Sequence, residues 1–350
     1  MALLFFDGFE RYYRGDDMSV ITSDVISSIS MYGNNNFRSN GYIGRRGGYC
    51  WCQQYGDNYI KYVLSSNYQT FIFGAAFKLD ALPSYSQLYP FLSFRDGLSD
   101  AQLRFHGNGS EILVYRGDNT QLGTTSGAGL AMGVWRYLEI KVTIDNSSGA
   151  VEIRIDGSTV LNLTSQDTQY TSNAYFNVLD HRMMYTGALN YTYWDDMYWL
   201  DTTGTKNNDF LGDVRVDPLD PSGAGTYTDF TPSAGSNYQN VDEIYPDDDT
   251  TYNDGANVAD QDTYAMDDLE ALSTTIHGVK SQITVRKTDA GSRGTKILTR
   301  SGTTDHLSSE LALSDSFVTH LEIMEDNPDD SAAWAEADVN AMEVGIEITT

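Results

Sequence analysis

The chain has 350 residues, enough for about two domains. With 20% charged and 40% hydrophobic residues it can build a sizeable core, which excludes a chain disordered throughout. Its 49 acidic residues against 22 basic ones give a formal net charge of −27. Such a surface repels phosphate backbones and anionic lipid, so neither nucleic acid nor a membrane is expected as a partner. Cys50 and Cys52, the only cysteines, stand too close for an unstrained bridge and have no second pair to complete a zinc site. They read as reduced thiols of a protein folded in a cytosol. Met-Ala-Leu-Leu-Phe-Phe lacks the basic start of a signal peptide, and no apolar run approaches the ~20 residues of a membrane helix.

Short strands dominate the chain order. Phe71 to Leu79 is an apolar strand, and Ala101 to His106 alternates before a Gly-Asn-Gly turn at 107–109. Glu111 to Arg116 follows, and Trp135 to Ile144 places Leu138, Ile140, Val142 and Ile144 on one face. Val151 to Ile155 keeps that period and ends at Asp156-Gly157, a hairpin signal. Residues 1–203 therefore read as one sandwich or barrel domain. Residues 204–269 are rich in Asp, Gly, Ser, Thr and Asn and read as a loop-rich arm. From 270 to 350 a second, smaller β-rich domain is expected. Its strands are Ser281–Lys287, Lys296–Arg300, Val318–Met324 and Val344–Ile348, and the alanines of Ser331–Asn340 suggest a short helix.

Four motifs carry a resemblance: Asp7-Gly8-Phe9-Glu10, Gly133 to Lys141, Ile153 to Gly157, and Tyr193-Trp194-Asp195-Asp196-Met197-Tyr198. Together they resemble concanavalin A-like lectin/laminin-G-type sandwiches, above all those in structural proteins of tailed phages. The resemblance implies an all-β protein, with a jelly-roll sandwich followed by the smaller β-rich domain. It also implies that the first strand lies beside the last, so that Asp7 and Asp195-Asp196 close the sandwich from its two ends. In the same terms the chain is a non-enzymatic virion protein, on the tail or the head exterior. It would serve particle assembly or host-surface attachment, with other virion proteins as partners and a homo-oligomer, a trimer ahead of other states, as its form. A capsid decoration protein without sugar binding, and a free carbohydrate-binding module or glucanase-like enzyme, are the alternatives.

Among candidate site residues, Trp135 is expected to anchor the core between the sheets, and Asp156 and Gly157 to make a turn with positive φ. Asp7, Asp195 and Asp196 are expected in structural roles, the adjacent pair pointing to opposite faces of a strand. Tyr42, Tyr49, Tyr185, Tyr191 and Tyr193 stand in polar contexts that suit stacking on sugar rings, with packing as the plainer use. No cofactor is expected. Asp247, Asp248 and Asp249 are the nearest approach to oxygen ligands for a structural Ca2+, with solvated loops as the default. The Glu-x-Asp-x-x-Glu strand of glucanases is missing, as are a nucleophile elbow, a phosphate loop and a dinucleotide fingerprint, so no catalytic residue is named.

Overall fold

The period-two runs become strands with the expected faces inward. A computed structural model describes residues 2–11, 26–32, 36–37, 44–54, 59–127, 129–185, 190–269 and 275–350. The chain divides into two compact units between Val216 and Asp217.

The strands of the first unit are, in chain order, β1 (Leu3–Asp7), β2 (Ile26–Tyr32), β3 (Asn36–Phe37), β4 (Trp51–Gln54), β5 (Tyr59–Tyr68), β6 (Thr70–Leu79), β7 (Leu92–Asp96) and β8 (Asp100–Asn108). There follow β9 (Glu111–Arg116), β10 (Gln121–Thr124), β11 (Arg136–Thr143), β12 (Gly149–Ile155), β13 (Ser158–Gln166), β14 (Phe176–Arg182) and β15 (Tyr191–Leu200). They form an eight-stranded sheet, β13-β12-β11-β6-β15-β4-β3 with β1 also on β15, and a seven-stranded sheet, β10-β9-β8-β7-β14-β5-β2. All the pairings are antiparallel, and Asp7 lies opposite Met197.

Aromatic rings from both sheets meet to make the core of this sandwich. Trp199 packs on Tyr62 at 4.9 Å and Phe71 on Phe176 at 5.2 Å. Trp51 and Trp194 close on His181 at 4.7 and 4.5 Å. Rings of this size, wholly buried, each contribute roughly 2–3 kcal/mol by leaving water. Asp156 (φ 49) and Gly157 (φ 75) make the tight turn between β12 and β13, and the Asp156 carboxylate accepts from Tyr137 N at 2.8 Å.

The second unit carries β16 (Pro221–Thr228), β17 (Thr231–Pro232), β18 (Asn253–Asp254), β19 (Gln261–Met266), β20 (Val279–Val285) and β21 (Gly294–Ser301). It continues with β22 (Thr304–Leu307), β23 (Leu311–Ala312), β24 (Val318–Met324), α1 (Glu336–Asn340) and β25 (Glu343–Ile348). Its main sheet runs β16-β19-β25-β21-β22, with β23 on β21. Val279, Met324, Trp334, Val339, Met342 and Val344 form its core. The expected arm at 204–269 is thus not one segment of its own. Residues up to 216 belong with the sandwich, and β16 and β19 are ladder strands of the second unit. The helix is shorter than Ser331–Asn340: Ser331 takes φ 59 in a turn capped by Asn327, and the helix starts only at Glu336.

Candidate functional site

The two outer faces of the sandwich are used differently. On the eight-stranded sheet, Tyr137, Glu139 and Tyr198 share the face turned away from the core, with the Tyr137 and Tyr198 rings stacked at 6.3 Å. Gly74 opens the space for this: a Cβ there would overlap the Tyr198 ring. Residues 209–216 run over these side chains. Leu211 N donates to Tyr198 Oη at 3.1 Å, Gly212 N to Glu139 at 2.8 Å, and the Arg154 guanidinium lies 4.0 Å from the Phe210 ring centre. This part of the face is covered by the chain itself.

At its edge lie the acids named from sequence. β15 bulges between Asp195 and Tyr198, with Asp196 at φ 45. The bulge cancels the alternation, so the two carboxylates do not point to opposite faces. Arg45 N donates to Asp195 at 2.7 Å, while the Arg45 guanidinium reaches Asp196 at 3.3 Å and also pairs with Asp213. Arg45 stands on a turn closed by Gly44 N donating to Gly48 O at 2.8 Å. Asp7 accepts from Phe9 N at 2.7 Å. Burial, with Asp196 beside it, pushes Asp195 up to about 7, and burial together with Asp195 pushes Glu10 up to about 9. Among the described residues no three carboxylate, histidine or cysteine side chains are grouped to hold a metal ion. Asp247 caps its own loop, accepting from Thr251 N and Oγ1 at 3.0 and 2.9 Å, and Asp249 pairs with Arg286. Asp248 holds a φ of 58 in the same loop.

Tyr185, Tyr191, Tyr193 and Trp135 pack against neighbouring side chains. Tyr193 is buried with Cys50 and Cys52, and Trp135 and Tyr191 pack against them, with the Lys78 ammonium 4.5 Å from the Tyr193 ring and 5.0 Å from the Trp135 ring. Trp135 therefore anchors the outer side of the eight-stranded sheet rather than the core between the sheets. It stands one residue before β11, where the alternation has yet to begin. Tyr193 is not available to stack on a sugar. Tyr185 stacks on Tyr89 at 5.0 Å, Tyr49 is half-buried beside the Arg45 turn, and Tyr42 lies outside the described residues.

The outer face of the seven-stranded sheet is different. Its register sets Lys61 opposite Asp180, Asp180 opposite Ser93, Ser93 opposite Arg104, Arg104 opposite Tyr115 and Tyr115 opposite Gln121. This is one row of polar and aromatic side chains across six strands, about 20–25 Å at the usual strand spacing. The neighbours of these residues along each strand (Ile60, Leu179, His181, Leu92, Phe94, Leu103, Phe105 and Val114) fill the core.

Asp180, 0% exposed, anchors the row. Its Oδ2 receives Arg95 Nε at 3.0 Å and Arg182 at 3.3 Å. Arg182 lies 4.0 Å from the Tyr59 ring centre. Asp180 Oδ1, Ser93 Oγ and Arg182 Nε are buried without a hydrogen-bond partner. At the far end Tyr85 meets His106 and Tyr115 at 5.4 and 5.6 Å, and the His106 ring contacts Ser86 O at 2.9 Å; burial pushes His106 down to about 4.

None of these basic residues was expected from sequence. Their signal is the opposite phase of the same alternation: Lys61 next to Ile60 and Tyr62, Arg104 between Leu103 and Phe105, Arg182 after His181. Only the register aligns them.

No protein-family model and no curated protein sequence matches the chain. Among solved structures it is similar to the alginate lyase Aly36B, at 12% identity over 55% of this chain and 95% of that one, with a TM-score of 0.38. Domain 4 of AbnA, a GH43 extracellular arabinanase from Geobacillus stearothermophilus in complex with arabinotriose, is similar at 15% identity over 57% and 92%, TM-score 0.39. The binding domain of botulinum neurotoxin DC in complex with SialylT matches at 11% identity over 50% and 42%, TM-score 0.36. None assigns the chain to a family.

Proposed function

We propose that the first unit is a non-catalytic carbohydrate-binding module, taking an oligosaccharide across the outer face of its seven-stranded sheet. The observation that carries this reading is the row from Lys61 to Gln121. It lines up charged, hydroxyl, amide and aromatic groups over the span of a short oligosaccharide, whereas residues 209–216 cover Tyr198 and Glu139 on the outer face of the other sheet. Buried polar atoms without partners, at Ser93 and Asp180, are costly unless something pairs with them. Asp180 is the one carboxylate of the row, and it is tied to two guanidinium groups. Glycoside hydrolysis ordinarily needs two carboxyl groups flanking the bond, so the row reads as a grip.

The tailed-phage setting rests on the sequence resemblance alone. In that setting the module would bind a glycan of the host surface, and a decoration protein would leave the row unused. The test is retention of the full chain on a glycan array, repeated with Tyr85→Ala and Tyr115→Ala. Retention that either substitution weakens is the expected result. Retention indifferent to both would place binding elsewhere and overturn the reading.

A further inference from the structure

We infer that the ligand of this sheet face is an uncharged saccharide chain, held in a groove between two tyrosine walls, Tyr85 and Tyr170. The inference rests on the reading of the face as a saccharide site and adds the residues of its walls and the chemical class of its ligand.

The groove follows from what covers β8. Gln102, Arg104 and His106 alternate onto the outer face, yet Gln102 and His106 are 0% and 2% exposed while Arg104 is only half-buried. Loops close over the two buried positions. Residues 80–91 cross His106: Gly109 N donates to Pro83 O at 2.7 Å, the His106 ring contacts Ser86 O, and the Tyr85 ring packs on His106. Residues 167–175 cross Gln102, whose Oε1 accepts from Tyr170 N at 2.7 Å and Thr171 N at 3.1 Å. Its Nε2 donates to Asn173 O and Tyr175 O at 2.7 and 2.9 Å. Gly117 makes room for Tyr170, since a Cβ there would overlap its ring. Each anchored loop thus carries an exposed tyrosine, Tyr85 at 41% and Tyr170 at 45%.

Between these walls the floor is Arg104, Tyr115 and Gln121, with Tyr115 Oη donating to Gln121 Oε1 at 3.1 Å. The covered positions lie four residues apart on one strand, about 13 Å. Once the two rings are allowed for, the gap is narrower than an α-helix with its side chains, about 10–12 Å. It fits one extended chain. Wall rings suit the C–H faces of a sugar, and the hydroxyl, amide and guanidinium groups below suit its ring hydroxyls.

Charge selects the class of sugar. Arg104 donates to the Asn119 amide oxygen at 2.9 Å. Burial first and Arg95 second lower its pKa, while Tyr170, Asp100 and Asp118 act the other way, so these three stand within electrostatic reach of it. Asp118 and Asp167 both pair with Arg116, and Asp96 accepts from Thr171 and Asn173 of the wall loop. The next cation along the row, Arg95, is paired with Asp180. Arg104 and Arg116 therefore stand with Asp96, Asp100, Asp118 and Asp167, in a chain of formal charge −27. A carboxylated or sulfated sugar would meet that excess of acids. Stacking and hydrogen bonding to neutral hydroxyls are what the groove supplies.

The experiment uses the full chain with neutral oligosaccharides and with the same compounds oxidised at C6 to uronates. The expected result is retention of at least one neutral member, with affinity at least about tenfold lower for its oxidised partner. That binding should change less than about threefold as salt rises from about 50 to 500 mM. Tyr85→Ala and Tyr170→Ala should each lose about tenfold, and Tyr170→Phe, which keeps the ring, should restore most of that loss. Equal binding of the two forms, or preference for the oxidised one, overturns the neutral-ligand inference while leaving the saccharide reading standing. Neutral binding indifferent to Tyr170→Ala overturns the walls. Retention of no glycan of either kind overturns the saccharide reading itself.

Discussion

His181 offers a quantitative test of the sandwich core. It is 0% exposed, both ring nitrogens lack a hydrogen-bond partner, and the rings of Trp51, Trp194 and Phe73 surround it edge to face. Burial pushes its pKa from 6.5 down to about 3. Below pH 6.5 the unfolded chain takes up a proton that the folded chain refuses, so this residue's contribution to stability is lost as pH falls through that window. At about 1.4 kcal/mol per pH unit, the loss is about 2 kcal/mol between pH 7 and pH 5 and about 4 kcal/mol by pH 3. His181→Leu removes the titration. Any fixed packing penalty of the substitution cancels when only the pH dependence of the difference is read.

Glu10 and Asp195, whose pKa values are raised, tilt the wild-type curve the other way. Their effect cancels too, because both proteins carry them. The assay is urea unfolding followed by tryptophan fluorescence, to which the first unit contributes four of the five tryptophans. The variant should gain about 2 kcal/mol on the wild type in going from pH 7 to pH 5. A difference that stays constant over that range would refute the burial of a neutral, unpartnered imidazole.

Three further outcomes follow from the same geometry. Gly74→Ala drives a methyl group into the Tyr198 ring, itself held by Glu139 and stacked on Tyr137; unfolding should be easier by about 1–3 kcal/mol, and an unchanged urea midpoint would contradict the packing. Arg45→Gln leaves Asp196 buried without its cation and should cost about 3 kcal/mol, measurable in the same assay. Glu10 holds its proton up to about pH 9 because it is buried beside Asp195, so its stabilising protonation is fully present below pH 4.5 and lost as pH rises through 9. Glu10→Gln should therefore stabilise the protein relative to wild type at pH 9 more than at pH 6, and an equal effect at both would count against that burial.

Much of the sandwich was legible because its strands alternate. Leu138, Ile140 and Val142 face inward as their spacing requires, and Asp156-Gly157 turns the chain as that pair favours. Three features were not legible, each for a physical reason. The bulge at Asp195-Asp196 is set by pairing with β6, and it turns a pair expected on opposite faces into one clamp on Arg45. β16 is built from Ser222-Gly223-Ala224-Gly225, small residues that show no apolar period and read as loop. The basic row is contributed by strands far apart in sequence, from Lys61 to Arg182, so no local pattern could assemble it. Tyr185, Tyr191 and Tyr193, chosen for their polar sequence context, pack against other rings or side chains, because context along the chain does not say which side of a strand is covered.

The most direct test of the central claim is a crystal structure of the full chain with the best-retained oligosaccharide. The account predicts sugar density across β7, β8, β9 and β10, with ring hydroxyls or a sugar face against Arg104, Tyr115 or Gln121. Density on the eight-stranded sheet or on the second unit, with this row untouched, would contradict it.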